Sequence, residues 1–86
     1  MVISSLVVET VPERTAAAAE ELARAAGVEV HEVSGYKIVV TIEADSVEAS
    51  HAVASSFIQI EGVTNVNLVY VNFEEETLGS DKVEKR

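Results

Sequence analysis

The hydrophobic period of this chain alternates between two residues and 3.6, and the order of those switches leaves few folds open. Ile3 to Thr10 is rich in β-branched residues and reads as a strand. Pro12-Glu13-Arg14-Thr15 then opens an alanine-rich run to Ala26. Proline suits a first helical turn because its missing N–H would be unpaired there, and Glu13 sets a negative charge near the positive end of the helix dipole. Gly27 stands where a helix closes in the left-handed conformation. Val28-Glu29-Val30-His31-Glu32-Val33 alternates with period two, Ser34-Gly35 makes a tight turn, and Tyr36 to Glu43 completes a hairpin. Asp45 or Ser46 caps a second helix, whose apolar positions Val47, Val53, Ala54, Phe57 and Ile60 share one face. Gly62 ends that helix, and Val63 to Phe73, dense in valine, forms the last strand.

Strand, helix, strand, strand, helix, strand is the order of an α+β domain. Right-handed crossovers place both helices on one side of a four-stranded antiparallel sheet, the ferredoxin-like βαββαβ arrangement. Residues 1–73 make this one domain. Residues 74–86, beginning Glu74-Glu75-Glu76, are polar and without periodicity, and are expected to form an acidic, disordered tail.

With 86 residues and no cysteine, the chain can build one small core and has no disulfide or thiolate-bound metal to brace it. Its first residues, Met1-Val2-Ile3-Ser4-Ser5, carry no basic flank, and no apolar run approaches a membrane span. A cytoplasmic protein, monomeric rather than homodimeric, is the expectation. Fifteen acidic against six basic residues give a net charge of −9, which repels nucleic-acid backbones and attracts cationic partners.

In the expected fold one face of the sheet packs on the helices and the other stays bare. Parity sorts the side chains. Tyr36, Ile38, Val40 and Ile42 form the more apolar set of the third strand and are expected inward; Lys37, Val39, Thr41 and Glu43 then point outward. In the last strand Val66, Leu68 and Tyr70 are expected inward, leaving Asn65, Asn67, Val69 and Val71 outward. Leu6 and Val8 point in from the first strand, leaving Ser5, Val7 and Glu9 exposed. The bare face thus carries Val7, Val39, Val69 and Val71, bordered by Ser5, Glu9, Thr41, Glu43 and Asn67, with Glu74 beyond. An apolar stripe inside a polar, acidic border is a docking surface for another chain.

The residues offer no catalytic constellation. There is no Cys-x-x-Cys for the metal-carrying version of this topology and no glycine-rich phosphate loop; the serines lack a nucleophile-elbow context. His31 and His51 lie on different elements without an acidic ligand cluster and read as surface or boundary residues. No enzyme activity, cofactor or metal is expected.

Three segments carry a family resemblance: Ser5-Leu6-Val7-Val8, Gly35-Tyr36-Lys37-Ile38-Val39-Val40-Thr41-Ile42-Glu43, and Ile60-Glu61-Gly62-Val63 with Asn67-Leu68-Val69-Tyr70. They resemble the NapD family, cytoplasmic chaperones of the catalytic subunit of periplasmic nitrate reductase, over residues 4 to 76. The resemblance implies binding of that subunit's twin-arginine signal peptide, delaying export until the molybdenum cofactor is inserted. Its candidate peptide-binding residues are the outward set above. Members often carry His after Leu-Val-Tyr, where Val71 stands here. A small-ligand-sensing regulatory module resembling ACT domains shares the topology and is the alternative. It would need a stable dimer and a ligand-admitting loop, and the loop after the first strand has Pro12 but no glycine.

Overall fold

A computed structural model describes residues 1–73; the expected tail 74–86, with Glu74, lies outside the described residues. Four strands, β1 (Val2–Thr10), β2 (Val28–Ser34), β3 (Lys37–Ala44) and β4 (Val63–Phe73), alternate with two helices, α1 (Thr15–Arg24) and α2 (Val47–Ser56). The strands form one antiparallel sheet in the order β2-β3-β1-β4. The architecture is the ferredoxin-like one expected from the order of periods.

Three of the four helix boundaries have a local cause in the residues around them. Pro12–Arg14 forms a short 3-10 turn ahead of α1, using the fixed backbone angle of proline. Ser46 Oγ accepts a 3.0 Å hydrogen bond from the Ala49 N–H, capping α2. Gly27 follows α1 at φ +78°, and a Cβ there would stand 2.6 Å from the Glu43 carbonyl oxygen. The close approach is what lets Glu43 N–H donate to the Gly27 carbonyl at 2.8 Å, tying the helix exit to β3.

The core lies between the helices and one sheet face. Leu6, Val8, Ile38, Val40 and Ile42 enter it from the sheet, Ala18 and Leu22 from α1, and Phe57 from the 3-10 turn Phe57–Gln59 after α2. Two buried hydroxyl pairs are built into this layer: Ser4 Oγ lies 2.7 Å from Ser50 Oγ, and Thr10 Oγ1 lies 2.7 Å from Thr15 Oγ1. Each hydroxyl satisfies the other, so neither leaves a polar atom stranded.

Two expectations about the helix layer change. Val47 is half exposed at 49%, while Ser50, one turn on, is buried against Ser4. The hydroxyl pair lets a polar residue hold the position that apolar spacing assigns to a hydrophobe. Tyr36 is 47% exposed rather than inward, because it belongs to the turn before β3, where its carbonyl accepts from Thr10 N–H at 2.9 Å.

Candidate functional site

Both helices pack on one side, leaving the opposite sheet face as the site candidate. Paired residues on neighbouring antiparallel strands point to the same side, so the registers give its layout row by row. Glu29, Thr41, Ser5 and Tyr70 form one row from β2 to β4. Glu32, Val39, Val7 and Asn67 form the next, and Ser34, Lys37, Glu9 and Asn65 the third. At the other end Glu43 pairs with Ile3. The helix-facing rows between them run Val28-Ile42-Ser4-Val71, Val30-Val40-Leu6-Leu68 and Val33-Ile38-Val8-Val66.

The face is chemically graded. Val7 and Val39 stand side by side at its middle, with Ile3 toward one end and Tyr70, 59% exposed, toward β4. Carboxylates gather on the β2–β3 side as Glu29, Glu32 and Glu43, whereas Asn65 and Asn67 border the β4 side. The charge of Glu9 is partly answered by Lys37, whose Nζ lies 3.9 Å from Glu9 Oε2. Among the described residues Glu32 and Glu43 have no such cationic partner. A concavity of about 470 Å³ opens at the acidic end, lined by Ile3, Gly27, Val28, Glu29, Thr41 and Glu43.

Three register shifts interrupt the pairing; one lies at Thr64, where Glu9↔Asn65 passes to Thr10↔Val63, and the other two shape the face. In β2 the pairing passes from Val30↔Val40 to Glu32↔Val39, leaving His31 as the extra residue. His31 Nε2 lies 2.8 Å from Thr41 Oγ1 and 4.0 Å from Glu29 Oε1, on the open side. In β4 the pairing passes from Leu6↔Leu68 to Ser5↔Tyr70, leaving Val69 as the extra residue. An extra residue reverses the parity of everything after it.

The second bulge corrects part of the sequence reading. Ser5, Val7, Glu9, Val39, Thr41, Glu43 and Asn67 occupy the open face as expected. Val69 is exposed, at 64%, but on the bulge rather than in a row. Val71 lies on the helix side opposite Ser4, not on the open face, and Tyr70 takes the outward place instead of the inward one. Ile3, Glu29 and Glu32 join the site without having been singled out. Ile3 shares the outward parity of Ser5 and Val7, and Glu29 follows the alternation of β2, but Glu32 reaches the face only because the bulge at His31 reverses the parity after it.

Among the described residues no group of three or more histidine or acidic side chains is placed to hold a metal ion, and no helix is long and apolar enough to cross a membrane. What the arrangement provides is a shallow apolar strip beside an acidic concavity, suited to a segment of chain that is both cationic and apolar.

Comparison with known proteins points the same way. The family model described as NapD protein matches residues 1–75. A curated relative, Chaperone NapD of Paracoccus pantotrophus, is 40% identical over 68 residues, covering 79% of this chain and 61% of the relative. The matched region thus spans about three-fifths of that relative's length. A solved structure, the solution structure of the E. coli Tat proofreading chaperone protein NapD, superimposes with a TM-score of 0.75 at 31% identity, covering 88% of this chain and 82% of that one. Sequence and fold together establish that the chain belongs to the NapD family.

Proposed function

We propose that this protein is a cytoplasmic, monomeric chaperone that binds the twin-arginine signal peptide of a periplasmic nitrate reductase catalytic subunit, holding back export until its cofactor is inserted. It acts by binding and not as an enzyme. Membership of the NapD family supports the reading, as does the likeness to a solved Tat proofreading chaperone. The observation that carries it is the uncovered sheet face, with Val7 and Val39 paired at its centre and Glu29, Glu32 and Glu43 along one side.

The energetics assign different roles to the two parts of the face. Burying about 500 Å² of apolar area is worth roughly 12 kcal/mol before ordering costs, which are of similar size, so micromolar to nanomolar binding is within reach. Exposed arginine–carboxylate pairs contribute under about 1 kcal/mol each. Apolar contact therefore sets most of the affinity, while the carboxylates set orientation and association rate. Guanidinium groups engage carboxylates through two parallel hydrogen bonds, which lysine cannot do. Because the apolar residues are spread over a face, the peptide lies across it as a helix rather than adding to an edge.

Titration calorimetry with the signal peptide, and with a version carrying Lys-Lys in place of Arg-Arg, tests this. Binding of the first and weaker binding of the second are expected. No heat of binding at high micromolar peptide contradicts the proposal.

A further inference from the structure

The two edges of the sheet are built differently. β2 carries Glu29, His31 and Glu32, the kind of charge that blocks strand addition, whereas the eleven residues of β4 contain no charged residue and no proline. Leu68, Val69 and Tyr70 stand consecutively on that edge at 60%, 64% and 59% exposure. Beside it, on the helix side, a recess of about 130 Å³ opens between α2 and β4, lined by Leu6, Ala54, Leu68 and Val71 among others. The bulge at Val69 contributes to this recess: it separates Leu68 and Val71 by three residues instead of two while keeping both on the helix side. An edge strand free of charge and proline, with a pocket for an alternate side chain, is the arrangement on which an extended segment adds as a further strand.

We infer that the β4 edge is a second binding site, which takes an extended, uncharged segment of the same client chain, continuing from the element bound on the open face. This rests on the docking reading of that face. Charge gives the direction. The cationic end of the client is drawn to Glu29, Glu32 and Glu43 on the β2–β3 side, so its apolar part leads away toward β4. From β2 to β4 is three strand spacings, roughly 14 Å, which a helix crosses in about ten residues. Chain emerging from such a helix reaches the uncharged edge, where main-chain hydrogen bonds hold it and one apolar side chain enters the recess.

The test uses three probes on the full chain: the signal peptide ending at its apolar segment, the same peptide extended by Thr-Val-Thr-Leu-Thr-Val-Thr, and the same peptide extended by a Gly-Ser run of equal length. The Thr-Val extension is expected to bind at least tenfold tighter than the Gly-Ser one and to slow amide exchange over residues 63–73. Leu68→Lys, at an exposed position, removes that gain and leaves the short peptide's affinity unchanged. Equal affinities for both extensions, with the short peptide still bound, overturn the edge site alone. Failure of the short peptide to bind removes the face reading and this inference with it. A dimer in light scattering whose β4 is protected without any peptide gives the edge to a second copy and overturns the inference.

Discussion

Val7 and Val39 stand directly opposite one another on the two central strands, with their side chains on the face that neither helix covers. Both are half-buried by their neighbours alone. Replacing either by glutamate puts a charge into the apolar strip without opening the core on the other side. Val7→Glu and Val39→Glu are each expected to weaken signal-peptide binding more than tenfold while changing unfolding free energy by no more than about 1 kcal/mol. Calorimetric titration alongside urea unfolding checks both halves of this statement.

Acidic side chains on one side of the face make the interaction sensitive to ionic strength. Raising salt from 50 to 500 mM shrinks the screening length from roughly 14 to 4 Å, and association with a cationic peptide is expected to slow several-fold. The double variant Glu29→Gln with Glu43→Gln flattens that dependence. Stopped-flow association rates that do not change with salt contradict the assignment of these carboxylates.

Ser4 and Ser50 join the sheet to α2 through a 2.7 Å contact between buried hydroxyls. Ser4→Ala leaves the Ser50 hydroxyl without this partner and is expected to cost about 1–2 kcal/mol. Removing both hydroxyls is expected to cost less than the sum of the two single changes. Chemical denaturation of the double-mutant cycle measures the difference.

Two glycines with positive φ are expected to respond differently to alanine. At Gly35 a Cβ meets nothing within 4 Å, so only the left-handed backbone cost of about 1 kcal/mol applies. At Gly27 the same cost is joined by collision with the Glu43 carbonyl, 2.6 Å away. Gly27→Ala therefore destabilises more than Gly35→Ala in thermal unfolding, and it disturbs the acidic concavity as well.

Much of this was legible from pattern. Ile38, Val40 and Ile42 alternate cleanly with Lys37, Val39, Thr41 and Glu43, and β3 keeps that parity throughout. The Ser46 cap and the positive φ of Gly27, Gly35 and Gly62 were equally plain, but the helix ends were not: α1 stops at Arg24 and α2 at Ser56, short of the glycines expected to close them. The end of β4 was not legible. Val69, Tyr70 and Val71 are all apolar, so nothing in their order marks the one that is extruded. The bulge is a property of the pairing with Ser5 and Leu6, and it exchanged the faces of Tyr70 and Val71. Burial of Ser50 was hidden for a related reason, because a hydroxyl becomes a core residue only when a second one, Ser4, meets it across the layer.

The docking role of the open face is tested most directly by mapping backbone amide shifts in the isotopically labelled protein as unlabelled twin-arginine peptide is added. Shifts concentrated at Ser5, Val7, Val39, Thr41 and Glu43, with α1 and the outer side of α2 unmoved, are the predicted result. Saturable binding whose shifts fall on the helices, leaving the β1–β3 pairs untouched, would contradict it.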